Sequence, residues 1–337
     1  MKKIKVAVAG LGRIGKIHLN NLCRNIVGIE VVAVMDVVEE SAKIADEYGV
    51  SLFFGNFDEL IALEELDAVV ICSPTDTHAD QVIKAARAGK HIFCEKPLDL
   101  SLDRVMEVLK VIEECDVQLM LGFNRRFDPD FEKIHEMVFN DSVGDPQIIK
   151  ITSRDPGPPP LSYIKVSGGI FLDMAIHDFD MARYISGKEV REVFAAGAVK
   201  VDPGIGDAGD FDTAVITLIF EDNTLAVIDN SRKAAYGYDQ RLEVFGSKGM
   251  ACADNNYPNN HKLFTQEGMS RDLPLHFFLE RYQESYQKEM KQFIEALQNG
   301  NAMPVGAKDG LMSIVIGLAA TKSAKEKRPV KISEIMR

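Results

Sequence analysis

The sequence predicts an α/β protein of two domains. An N-terminal doubly wound parallel sheet is expected over 1–123, and a C-terminal α+β domain with an open, mainly antiparallel sheet over 124–337. Three observations predict this. The chain of 337 residues exceeds what one hydrophobic core usually organises, and its 46% apolar content is enough to fill two. Over the first 120 residues, short β-branched runs alternate with longer amphipathic stretches, as in a parallel sheet covered by helices on both faces. Beyond about residue 124, strand-like runs follow one another with turn residues between them, which suits antiparallel pairing.

In chain order, the first-domain strands are IKVAVAG (4–10), EVVAVMD (30–36), SLFF (51–54), DAVVICS (67–73), HIFC (91–94) and VQLMLGF (117–123). Near-continuous apolar character marks them as buried on both faces. ESAKIADEYG and THADQVIKAARAGK read as helices between them, stopped by Gly49 and Gly89. The second domain opens with a helix-like FEKIHEMVF, the strand IIKITSR and the proline-rich DPGPPP. Strands VFAAGAVKV, TAVITLIF, LAVIDNSRK, RLEVFGS and MACAD follow, with EDNT and GSKG as turns. Amphipathic helices near 279–298 and 309–325 close the chain.

Composition excludes several functions. A net charge of −12 lacks the basic footprint that nucleic acid or an anionic membrane requires, so neither is expected as a partner. No apolar run approaches the roughly 18 residues of a membrane span. The basic start MKKIKVAVAGLG is interrupted by Arg13 and has no small-residue cleavage pattern, so it reads as a first strand rather than a secretory leader. Five cysteines, odd in number and without C-x-x-C spacing, argue against a disulfide framework or zinc ribbon and point to the cytoplasm. A protein handling small molecules, with no metal, is expected.

GLGRIG places Gly10, Gly12 and Gly15 in G-x-G-x-x-G spacing, directly after a strand and opening a helix. Alone such a match is weak, because a tight turn also uses glycines. In this context it reads as a dinucleotide fingerprint. The first glycine makes the turn, the second lets the backbone approach a pyrophosphate, and the third lets helix pack on strand. The helix N-terminus presents unpaired N–H groups to the phosphates. Asp36 ends the second strand where an acid meets the adenosine ribose, and the following VVEE offers no cation for a 2′-phosphate. NAD is therefore expected as cofactor in preference to NADP.

CEKPLDL ends the fifth strand with Glu95, Lys96 and Pro97, and in an open α/β sheet ligands gather at the carboxyl ends of the strands. GGIFLDMAIHDFD (168–180) holds a histidine and three carboxylates. A helix starting near Asp173 would put Asp173, His177 and Asp180 on one face, with Leu172, Ala175, Phe179, Ala182 and Ile185 opposite; Asp178 does not fit the pattern. An exposed lysine and a solvated polar stripe are the plainer readings. The company of a nicotinamide fold favours catalysis.

Together GLGRIG, SPTDTHAD (73–80), CEKPLDL and GGIFLDMAIHDFD resemble the glucose-fructose oxidoreductase/inositol dehydrogenase family, over essentially the whole chain. The ordered pair EKP and D-x-x-x-H is highly specific. The resemblance implies a Rossmann domain followed by a domain whose open sheet mediates contacts in a homo-oligomer, a dimer or tetramer. It also implies a catalytic group of Lys96, Asp173 and His177. Implied cofactor contacts are Gly10, Gly12, Arg13, Ile14, Gly15, Asp36, Ser73, Pro74, Thr75, His78, Glu95 and Lys96. Thr75 stands where the family usually has asparagine.

GFNRRFDPDF (122–131) and ITSRDPGPPP (151–160) are similar to the inositol-oxidising branch. On that likeness the substrate is a cyclic polyol, myo-inositol, oxidised to an inosose, with another inositol isomer or an aldohexose as the alternative. Substrate contacts are expected from Lys96, Asn124, Arg126, Asp155, Asp173, His177 and Tyr236. For Arg126, pairing with a neighbouring acid is as good a reading, as capping of a strand end is for Tyr236. An enzyme using NAD as a resident catalyst on sugars is a rival class, and a non-catalytic NAD-binding sensor a further one.

Overall fold

The computed structural model describes residues 3–336. It forms two compact units. The first comprises the chain up to Phe127 together with Glu284–Met312, and the second Asp128–Gln283 together with the chain from Ser313 onward. The expected boundary at 123/124 thus lies close to the crossover at 127/128, but a later segment returns to the first unit. Its reason is burial: Tyr286, Met290, Phe293 and Ile294 supply an apolar helix face, and Phe293 packs edge-on against Phe93 with ring centroids 5.7 Å apart.

The first unit is a six-stranded parallel sheet. Its strands are β1 (Ile4–Ala9), β2 (Ile29–Met35), β3 (Leu52–Phe54), β4 (Ala68–Ile71), β5 (His91–Glu95) and β6 (Leu119–Gly122). They lie in the order β3-β2-β1-β4-β5-β6. Val6 to Ala9, Ala68 to Ile71 and Ile92 to Cys94 are wholly buried, as strands covered on both faces must be. The order reverses between β1 and β4. That is the point where a doubly wound sheet opens a crevice at the carboxyl ends of its strands.

The second unit carries a seven-stranded sheet. Its strands are β7 (Pro146–Arg154), β8 (Val190–Ala198), β9 (Thr213–Phe220), β10 (Leu225–Ser231), β11 (Asp239–Gly246) and β12 (Met250–Ala253). A short hairpin of β13 (Leu263–Thr265) and β14 (Gly268–Ser270) stands apart, and β15 (Val330–Lys331) completes the main sheet at its β8 edge. The order is β12-β11-β7-β10-β9-β8-β15. Pairing is antiparallel except between β7 and β10, which run parallel.

Period-two alternation gives this sheet one buried and one open face. Ala214, Ile216, Leu218 and Phe220 of β9 and Ala226 and Ile228 of β10 point to the core. The other face carries Phe194, Val215, Val227, Phe245 and Met250, all exposed, with Phe245 of β11 registered opposite Met250 of β12.

The helix expected from Asp173 is two helices, Gly169–Asp173 and Ile176–Ser186. Between them the ladder slips: the Met174 and Ala175 amides both donate to the Ile170 carbonyl. Asp173 and His177 remain partly exposed, but Asp180, expected beside them, is buried, as is Asp178. Asn230 of β10 donates to the Asp178 carboxylate at 2.8 Å, which accounts for a buried acid outside the helical pattern.

Candidate active site

Each unit builds its own set of functional groups. In the first, Gly10 has φ of 90°, and a Cβ there would lie 2.7 Å from the Ser73 amide nitrogen. At Gly15 a Cβ would lie 1.8 Å from the Gly10 carbonyl oxygen. Only glycine permits this turn against β4 and this approach of helix to strand. Gly12 differs, because nothing lies within 4 Å of where its Cβ would be. It is the N-cap of the helix Arg13–Arg24, without a side-chain cap, and Arg13 and Ile14 are that helix's first residues. A bare helix N-terminus facing open space fits a pyrophosphate.

Asp36 follows β2. Its Oδ2 accepts from the Leu11 amide at 2.6 Å, and its Oδ1 from the Val38 amide at 2.9 Å. These two bonds orient the carboxylate and tie it to the glycine turn. A carboxylate has further lone pairs, so it can still accept from ribose hydroxyls.

Pro74 is the N-cap and Thr75 the first residue of the helix Thr75–Arg87. The Ser73 hydroxyl lies 2.7 Å from that of Thr77 and donates to Gln81 Oε1 at 2.9 Å. His78, expected to touch the cofactor, is buried, with Nδ1 2.7 Å from the Pro97 carbonyl and Nε2 2.8 Å from the Ser73 carbonyl. Both ring nitrogens therefore face protein oxygens. His78 ties the Ser73 turn to the Glu95–Lys96–Pro97 turn.

Glu95 is the last residue of β5, and Lys96 follows it partly exposed. Asn124 and Arg126 lie in the 3₁₀ turn Asn124–Phe127. Both are buried within this unit. The Arg126 guanidinium pairs with Asp309 at 2.9 Å, so the ion-pair reading holds for it.

In the second unit, Asp173 Oδ1 accepts from the Tyr163 hydroxyl at 2.8 Å, and Oδ2 from Arg232 at 3.2 Å. Arg232 is almost wholly buried and also lies 3.7 Å from Asp210, whose carboxylate accepts from the Ile170 amide. Thus the arginine anchors both Asp173 and the start of its helix. Sequence reasoning missed Arg232, Tyr163 and Asp210. Arg232 directly follows β10 in NSRK, where a basic residue reads as solvent-facing.

Asp155 is fixed by its backbone, its amide donating to Ser231 and its carbonyl accepting from Ala234. The Tyr236 hydroxyl donates to Asp239 and accepts from Arg154 at 3.1 Å. Burial and the neighbouring Asp239 raise the Tyr236 pKa above its ordinary value. Burial opposes ionisation of Asp239, but bonds from Arg241, Tyr236 and Asn255 outweigh it and hold the carboxyl below its usual range. Tyr236 is therefore committed to a charged cluster on the open side of the sheet.

Residues 4–123 match the oxidoreductase family with an NAD-binding Rossmann fold, and 131–252 match the GFO/IDH/MocA C-terminal domain. The chain is 51% identical to a myo-inositol 2-dehydrogenase of Thermotoga maritima, covering 99% of this chain and all of that one. It is 46% identical to an inositol 2-dehydrogenase of Rhizobium meliloti, covering 98% and 99% of the two. Among solved structures it resembles scyllo-inositol dehydrogenase from Lactobacillus casei with bound NAD(H) and scyllo-inositol. There the TM-score is 0.92 at 33% identity, covering 98% of this chain and 100% of that one. Likeness of this extent shows descent as well as fold, and the chain belongs to the GFO/IDH/MocA family of oxidoreductases with an NAD-binding Rossmann domain.

Proposed function

We propose that the protein is an NAD-dependent inositol 2-dehydrogenase that oxidises one secondary hydroxyl of myo-inositol to give the corresponding inosose. The observation that carries this reading is the presence of Lys96, Asp173 and His177, in the EKP and D-x-x-x-H motifs, in a chain that matches inositol 2-dehydrogenases over nearly its full length. His177 is the general base and takes the hydroxyl proton. Asp173, oriented by Tyr163 and Arg232, favours the imidazolium that results. Lys96 donates a hydrogen bond to the same oxygen and stabilises alkoxide charge as it develops. Bound NAD supplies the hydride acceptor. Gly12 and the helix N-terminus it caps hold the pyrophosphate, Asp36 the adenosine ribose, and Ser73, Pro74 and Thr75 border the same crevice.

Substrate choice is tested by kcat/KM for myo-inositol beside scyllo-inositol, D-chiro-inositol and D-glucose at saturating NAD. A site built of hydrogen-bonding groups rejects rings that leave them unpaired. Myo-inositol should be turned over best, by about tenfold or more over the aldohexose. If myo-inositol is inert while another ring is oxidised, the assignment to myo-inositol is wrong but the catalytic group stands.

The working form is a cytoplasmic homo-oligomer on this reading. Its five cysteines are unpaired, and among the described residues no helix is long and apolar enough to cross a membrane. The open sheet face with Phe194, Val215, Val227, Phe245 and Met250 is the surface that a second copy covers. Light scattering should give a mass of at least two chains. Val215→Asp combined with Val227→Asp should move it toward one, and a wild-type mass of one chain contradicts the proposal.

A further inference from the structure

The first unit contains a second ionisable cluster, built on Glu95. The Glu95 side chain lies over Gly122 of β6, where a Cβ would come within 2.9 Å of its carboxylate. From the helix Arg13–Arg24, the fully buried His18 places Nε2 2.7 Å from Glu95 Oε1. Its ring sits edge-on to Phe93 at 5.0 Å and to Tyr286 at 5.7 Å, which fixes its plane. From the helix Gln283–Asn299 comes Glu289, also fully buried. His18, Glu95 and Glu289 each offer an atom within 4.8 Å of the others'. Neither oxygen of Glu289 has a hydrogen-bond partner among the described residues.

Two carboxylates this close in a water-poor interior do not both ionise. Glu95 is partly exposed and has the His18 ring nitrogen beside it, whereas Glu289 is fully buried with neither oxygen partnered, so Glu95 is the one that keeps its charge. An ionised carboxylate only accepts, which assigns the proton on the His18 ring to Nε2. Burial first, then Glu95, pushes the Cys72 and Cys94 thiols well above their ordinary range, so they stay neutral. Burial, reinforced by Glu95, likewise pushes Glu289 well above the usual carboxylate range.

We propose that His18 and Glu289 are positioning residues for Glu95: His18 donates through Nε2, and Glu289, in its neutral form, donates its carboxyl proton to the same carboxylate directly or through one buried water. Together they hold Glu95, and the Lys96 that follows it, in a single orientation at the end of β5. This links the cofactor helix, the lysine-bearing strand and the returning C-terminal segment of the first unit. The consequence for turnover rests on the catalytic reading of Lys96, whereas the protonation of Glu289 does not.

Two measurements test the proposal separately. The infrared difference spectrum of wild type minus Glu289→Gln at pH 7 should show the carbonyl band of a protonated carboxylic acid. Absence of that band overturns the neutral Glu289. Metal analysis of the purified protein is run alongside. A stoichiometric divalent ion that is lost in Glu289→Gln overturns the proposal in favour of a metal held by His18, Glu95 and Glu289.

In steady-state kinetics, His18→Leu and Glu289→Leu should each lower kcat by about tenfold to a hundredfold, the cost of a misplaced group, with KM for the polyol little changed. His18→Gln and Glu289→Gln keep a donor at the same place and should restore kcat to within about threefold of wild type. Glu289→Leu replaces a buried polar group with an apolar one of similar size, so it should fold, as a melting curve will verify. Activity of Glu289→Leu equal to that of Glu289→Gln overturns the positioning role. The infrared band needs no turnover, so it reports on the cluster even if myo-inositol is not the substrate.

Discussion

Replacing His177 with alanine should lower kcat by about 10²–10⁴, the usual contribution of a positioned general base, and leave NAD affinity nearly unchanged. The second half follows because the variant leaves the glycine turn and Asp36, the groups proposed to hold the cofactor, unchanged. Lys96→Ala should cost turnover comparably, through loss of alkoxide stabilisation. In wild type, kcat/KM for oxidation should rise with pH as His177 loses its proton, because a base must start neutral to accept one. The check is steady-state kinetics of both variants with NADH titration of each. Near-wild-type turnover in either, while chemistry is rate-limiting, removes the role assigned to that residue.

The second large effect concerns the cofactor. NAD should exceed NADP in kcat/KM by about tenfold to a thousandfold, on the order of 1.4–4 kcal/mol, because a carboxylate at Asp36 accepts from the ribose hydroxyls and repels a 2′-phosphate. Asp36→Ser with Val37→Arg should narrow the gap at least about tenfold, since it removes the repulsion and adds a phosphate partner at an exposed position. The double variant should also melt lower than wild type. Asp36 anchors the Leu11 and Val38 amides, and a serine hydroxyl offers one oxygen where the carboxylate offered two. Equal use of the two cofactors by wild type would refute the role of Asp36.

The six parallel strands were legible because strands buried on both faces write themselves as continuous apolar runs, and each predicted run lies within a residue or two of its strand. The glycine turn was legible for a steric reason that the structure states in distances at Gly10 and Gly15. Less could be read where contacts join distant parts of the chain. The parallel pairing of β7 with β10 leaves no mark on either strand, since alternation fixes which face is buried and not the direction of the neighbour.

The break at Met174 and Ala175 was hidden because the apolar residues keep a helical rhythm across it. Asp180 reads as part of the polar face with Asp173 and His177, and Asp178 fits no face, yet both are buried, and Asp178 is matched by Asn230, 52 positions away. Glu289 likewise reads as one more acid on an amphipathic helix, and its meaning appears only with His18 and Glu95 beside it. Buried polar groups are identified by their partners, and those partners lie far off in sequence.

Removal of a hydride from the polyol ring and its release as reduced cofactor are measured with myo-inositol deuterated at C2 and an excess of NAD. Hydride transfer to a releasable cofactor should make NADH accumulate in step with inosose and carry the deuterium. It is contradicted if no reduced cofactor accumulates while the ring is altered, the behaviour of an enzyme that keeps NAD as a resident catalyst, or if the deuterium is found in the solvent.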